Sequence, residues 1–148
     1  MTPLTPIRLA GGTGSPYTQK MVALLRYRRI PYAIEWGQPE GLCDALGAER
    51  PKPIFMPTFV FEEQGGPVAE CDSTPIIRRL EALYPERSVL PSDPALAFID
   101  YLIEDFADEW CTKYMFHYRW HFSEDADKEG RLLPLGMNVR LPSERVGK

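Results

Sequence analysis

The sequence predicts an α/β fold, a small mixed sheet with helices packed on it, on three grounds. Short β-branched or alternating runs (Ile7–Ala10, Pro31–Gly37, Pro57–Glu62, Val68–Glu70) are interleaved with runs at helical spacing. Two of those helical runs open on cap residues, Ser15-Pro16 and Asp72-Ser73. The 148 residues, 44% hydrophobic and 26% charged, fall in the globular range and suffice to bury a core. Fifteen prolines, most of them between elements, punctuate the chain into short segments.

Ile7 to Ala10 runs into Gly11-Gly12-Thr13-Gly14, a short strand ending in a flexible turn. Ser15 then offers a hydroxyl acceptor to an orphan backbone N–H, and Pro16 lacks only a donor that the first helical position leaves unused. Tyr17, Met21, Leu24, Leu25 and Arg28 carry the helix, with Lys20, Arg26 and Arg29 expected to face water, until Pro31 stops it. Pro31 to Gly37 reads as a second strand with Tyr32, Ile34 and Trp36 on one face. Gln38 to Pro53 is irregular, with at most one or two helical turns around Leu42 to Leu46.

Pro57 to Glu62 is β-branched and aromatic, and Gln64-Gly65-Gly66-Pro67 joins it to Val68-Ala69-Glu70 as a hairpin. Asp72 and Ser73 cap a helix in which Ile76, Ile77, Leu80 and Leu83 recur up to Pro85. The order is β-α-β-(α)-β-β-α. Pro85 to Pro94 reads as a linker, and Ser92 or Asp93 with Pro94 opens another helix. Leu96, Ile99, Ile103, Phe106, Trp110, Tyr114 and His117 predict one helix of about seven turns to roughly Phe122, with a face that must pack on something. Ser123 to Lys148 is polar, is broken by Pro134 and Pro142, and predicts a weakly ordered tail. The expected organisation is a domain over 1–85, a linker over 86–93 and a partial helical domain over 94–148.

A net charge of −4 provides no basic face, so nucleic acid is not an expected partner. Cys43, Cys71 and Cys111 are odd in number, far apart and in no CxxC pair, which fits a reducing compartment and a cytoplasmic location. Apolar stretches only about five residues long predict neither an export signal nor a membrane span. The acidic cluster Asp100, Glu104, Asp105, Asp108 and Glu109 reads as a solvated helix face. His117, His121 and Glu124 have metal-compatible spacing, but among Tyr114, Phe116, Tyr118 and Trp120 the histidines read as packing groups, and no metal is expected. Cys71 is expected buried between strand and cap, Cys43 in a mobile, oxidisable loop, and Tyr17 beneath the sheet.

Three short segments can carry chemistry: Gly14-Ser15-Pro16-Tyr17, Met56-Pro57-Thr58, and Glu70-Cys71-Asp72-Ser73. Ser15 lies at a helix N-terminus, where free N–H groups and the macrodipole favour an anion such as a thiolate. A thiol titrates near 8.5, so lowering its pKa by about one or two units makes it a usable nucleophile at neutral pH. Asp72 and Ser73 suit the ammonium and carboxylate of an amino-acid-like ligand end. Pro57 is a candidate cis proline that leaves the Met56 backbone open to an extended peptide.

These segments resemble the thioredoxin-like N-terminal domain of the glutathione S-transferases over roughly Ile7 to Pro85. The most specific piece is Asp72-Ser73-Thr74-Pro75-Ile76-Ile77 leading to Tyr84-Pro85. The resemblance implies that reduced glutathione is the co-substrate. Ser15 would hydrogen-bond its sulfur, Met56 with cis Pro57 would pair with the cysteinyl backbone, and Asp72 and Ser73 would hold the γ-glutamyl end. Thr13 competes with Ser15, because some subfamilies place the hydroxyl earlier in the turn. Phe55 stands where family members often carry Lys or Arg, so Arg50 or Lys52 would reach the glycyl carboxylate. Serine at position 15 disfavours disulfide exchange, and the reaction that the resemblance implies is attack of the glutathione thiolate on a small electrophile, a detoxification chemistry.

The family usually dimerises through this domain and the next helix, so a homodimer is expected. Its all-helical second domain normally exceeds a hundred residues, whereas about 57 follow Pro91, so a short helical part and an incomplete electrophile pocket are expected. The alternatives are a non-catalytic glutathione-binding or protein-interaction module and a truncated inactive copy.

Overall fold

The structure, a computed structural model, describes residues 5–137. Strands β1 (Ile7–Gly11), β2 (Tyr32–Trp36), β3 (Thr58–Glu63) and β4 (Gly66–Cys71) form one sheet in the order β2-β1-β3-β4. β1 and β2 are parallel, joined by helix α1 (Pro16–Arg28), whereas β1, β3 and β4 are successively antiparallel. Leu9 sits between Ile34 and Phe59 in register.

Period-two alternation assigns the two faces of this sheet. Ile7, Leu9, Phe59 and Phe61 pack with Met21, Val22 and Leu25 of α1 and with Ile76, Ile77 and Leu80 of helix α3 (Ser73–Leu83). Ala10 and Val60 face the other way, against Leu42 of helix α2 (Glu40–Leu46) and Ala48. Cys43 is fully buried on α2, not in a mobile loop, because its turn of helix faces the sheet. Cys71 is only half-buried, with its thiol donating to the Pro53 carbonyl at 3.4 Å.

Gly11 ends β1 where a Cβ would stand 2.4 Å from Thr18 Oγ1, so only glycine lets α1 lie this close to the strand. A buried cation ties α1 to α3. Arg28 Nη1 lies 2.9 Å from Glu81 Oε1, an ion pair whose angle falls short of a hydrogen bond, and Nη2 donates to the Tyr84 carbonyl. Their side chains are 0% and 14% exposed.

Beyond the linker, helix α4 (Pro94–Phe106), a π-helical turn (Ala107–Cys111) and helix α5 (Thr112–Trp120) follow without a break. The long helix expected from the sequence is therefore present but carries a π turn at its middle. Its apolar residues are not covered: Ile103, Trp110 and Phe116 are 63%, 52% and 56% exposed.

The segment expected to be a weakly ordered tail forms helix α6 (Ser123–Met137) up to Met137; the rest of that tail lies outside the described residues. Small residues let α6 approach the β1–α1 turn. A Cβ on Gly14 would meet Leu133 Cδ1 at 3.1 Å, and one on Gly136 would meet Thr13 Oγ1 at 2.5 Å. Among the described residues no helix is long and apolar enough to cross a membrane.

Candidate functional site

A cavity of about 450 Å³ opens where the β1–α1 turn, the β3 entry and α5 meet. Ser15, Tyr17 and Met56 line it from the sheet domain, and Thr112, Phe116 and Arg119 from α5. A Cβ placed on Gly12 would lie 3.2 Å from Met56 Sδ and 3.9 Å from Ser15 Cβ, so two of the three predicted segments converge here. The Met56–Pro57 peptide is cis, as is Lys52–Pro53.

Ser15 is the N-cap of α1. Its Oγ accepts from the Thr18 backbone N–H at 3.2 Å, which leaves the hydroxyl proton for another acceptor. Thr13 is exposed, with its backbone carbonyl taken by Gln19 Nε2 at 3.0 Å. Tyr17 lines the cavity instead of lying beneath the sheet, because its hydroxyl donates to the Asp108 carbonyl in the π turn at 2.9 Å. Burial, with the charges of Asp108 and Glu109, outweighs the opposing influence of the nearby Thr112 hydroxyl and raises its pKa. Tyr17 thus keeps its proton, already committed to Asp108, and Ser15 is the better-placed donor to an anion.

The third segment does not line this cavity; it is tied to α1 instead, through the start of α3. Asp72 is the N-cap, its Oδ1 accepting from the Thr74 N–H at 3.1 Å, in an exposed position. Its φ of 83° is rare for a non-glycine residue, and such strain, of order 1–3 kcal/mol, clusters at functional sites. Ser73, buried beside it, accepts a hydrogen bond from Lys20 Nζ at 2.9 Å.

Lys20 was expected to face water, but Nζ also reaches Glu104 Oε1 at 2.6 Å and Asp108 Oδ1 at 3.2 Å. Thr74 Oγ1 donates to the same Glu104 oxygen at 2.9 Å. The acidic cluster read as a solvated face is therefore in part a lock between α4, the π turn and the sheet domain. Burial opposes the Lys20 charge, but the bonds it donates to Glu104 and Asp108 more than offset it and raise the lysine pKa. Burial likewise opposes the Glu104 charge, and Lys20 and Thr74 together bring that carboxyl below its ordinary value.

Lys52 lines a separate groove with Glu49, Pro67 and Val68, and Arg50 is held by Asp44 at 2.9 and 2.5 Å, so neither lines the Ser15 cavity. His117 and His121 stack at 4.6 Å between centroids, and no group of three or more His, Cys, Asp or Glu among the described residues is placed to hold a metal ion. Sequence reasoning missed Lys20, Glu104 and Asp108 as one unit. The only signal was the i, i+4 spacing of the two acids, whose partner lies more than eighty residues away.

A family model described as glutathione S-transferase, N-terminal domain, matches residues 9–88. No curated protein matches the chain.

Proposed function

Because the chain belongs to the glutathione S-transferase family and carries its thioredoxin-like N-terminal domain, we propose that it binds reduced glutathione and conjugates it to a small electrophile. The observation that carries this reading is the pairing of two serines at two helix N-termini. Ser15 and Ser73 each accept one hydrogen bond from the protein and keep the hydroxyl proton for a ligand.

Ser15 donates to the glutathione sulfur and, with the α1 N-terminus, favours the thiolate. The Met56 backbone, before Pro57, pairs with the cysteinyl unit, and Asp72 and Ser73 take the γ-glutamyl ammonium and carboxylate. Lys52 is left out of this set because its groove is elsewhere. The thiol proton leaves to solvent, and the sulfur lone pair forms the new S–C bond. The electrophile then either takes up a proton at the neighbouring carbon or releases its leaving group. We place the protein in the cytoplasm as a homodimer.

Mass-spectrometric measurement of adduct formation, with reduced glutathione and an activated haloarene, tests the reaction. Adduct formed faster than the uncatalysed reaction is expected, and a rate equal to it would contradict conjugation. A second reading, a protein-interaction module, is favoured by the uncovered aromatic face of α4 and α5.

A further inference from the structure

Arg119 of α5 is the only Lys, Arg or His among the described residues that line the Ser15 cavity. Its side chain is 17% exposed, yet its one carboxylate neighbour among the described residues is Glu129 of α6, with Nε to Oε2 at 3.6 Å, outside hydrogen-bond distance. No hydrogen bond by the Arg119 side chain occurs among the described residues. Lys20, of comparable exposure, has three oxygens within 3.2 Å. A guanidinium presents a planar fork of donors, and here none of them is engaged at hydrogen-bond distance among the described residues. The acceptor that fits such a fork is a carboxylate, held by two parallel bonds.

The surroundings give this site a direction. Met115 and Leu133 make the neighbouring wall apolar. Glu40 of α2 lines the same cavity with its Oε2 buried and no partner among the described residues. That acid repels an anion and accepts from an N–H, so a bound carboxylate is turned away from α2 and toward α5.

We infer that Arg119 is a carboxylate-binding residue of this cavity, one that makes it selective for an acid over the corresponding neutral ester. The inference rests on the glutathione reading only for which carboxylate is bound. The acid is either the glycyl carboxylate of glutathione or a carboxylate borne by the electrophile.

Calorimetric titration of the full chain and of Arg119→Gln and Arg119→Lys with two acid–ester pairs decides it. The pairs are reduced glutathione against its glycyl ethyl ester, and chloronitrobenzoate against its methyl ester. The wild-type chain is expected to bind one acid roughly tenfold or more tighter than its ester, as for a charge-assisted bidentate contact. Arg119→Gln removes that difference and leaves the ester affinity in place, while Arg119→Lys keeps part of it. The pair that shows the difference identifies the carboxylate. Equal affinity for acid and ester in both pairs, or equal loss of both in Arg119→Gln, overturns the inference. Failure to bind glutathione with an intact preference for the benzoate would remove the proposed co-substrate and leave Arg119 standing. Glutathione binding without any Arg119-dependent preference would do the reverse.

Discussion

Lys20 Nζ donates to Ser73 Oγ across 2.9 Å, so the Ser73 oxygen accepts from a cation that can only donate and its own proton is left for another acceptor. A side chain from the middle of α1 thereby sets which way the hydroxyl of the first residue of α3 points its hydrogen.

Replacing Lys20 with Met should lower affinity for glutathione roughly tenfold, the scale of one charged hydrogen-bond network lost. Affinity for the γ-aminobutyryl analogue, which keeps the amine but lacks that α-carboxylate, should hardly change. Calorimetry on both ligands checks this. An equal loss for both would reduce Lys20 to a packing residue.

The Lys20–Glu104 pair predicts how stability depends on pH. Glu104 titrates below its unfolded value, so its contribution is present above that value and is lost as pH falls through the folded one. Lys20 titrates above its unfolded value, so its contribution is present below that value and is lost as pH rises through the folded one. The thermal midpoint should be flat through neutrality and fall on both sides. Relative to Glu104→Gln, the wild-type advantage should be greatest at neutral pH and vanish in acid. An advantage unchanged in acid would contradict this.

Ser15→Ala should raise the pKa of the bound thiol and slow conjugation roughly 10²-fold, as when one donor to a developing anion is removed. Thr13→Ala should leave both nearly unchanged. Thiolate absorbance against pH, measured on each variant, reads the first quantity directly. The reverse pattern would transfer the role to Thr13.

Removing Glu81 leaves Arg28 buried without its counter-ion, which should cost about 3–5 kcal/mol. Glu81 also accepts from the Val89 N–H at 3.1 Å, so the start of the linker loosens as well. Urea unfolding of Glu81→Ala measures the loss. A midpoint shift equivalent to less than about 1 kcal/mol would place the pair in the surface class.

The sheet domain was legible because its signals are local. Ser15-Pro16 and Asp72-Ser73 mark helix starts by their own chemistry, and the alternation of Phe59 with Val60 declares its two faces within one strand. What could not be read depends on partners distant in the chain. Lys20 looks solvated on a helix diagram, since nothing near it in sequence foretells Glu104 and Asp108. α6 was hidden by Pro134 and its many charges, while its contacts run through Gly14 and Gly136 to a turn more than a hundred residues earlier. Cys43 was read as mobile because a seven-residue helix gives too short a run for its buried face to declare itself.

Calorimetric titration with reduced glutathione of the wild-type chain and of Asp72→Asn, with a thiolate absorbance scan of each complex, tests the central claim most directly. Asparagine keeps the cap oxygen and tolerates the positive φ, so the variant removes the charge and little else. Saturable binding, weakened at least roughly tenfold by Asp72→Asn and carrying a thiolate visible near neutral pH, is the predicted result. No binding at millimolar glutathione would mean that the fold is present without the site, and would contradict the account.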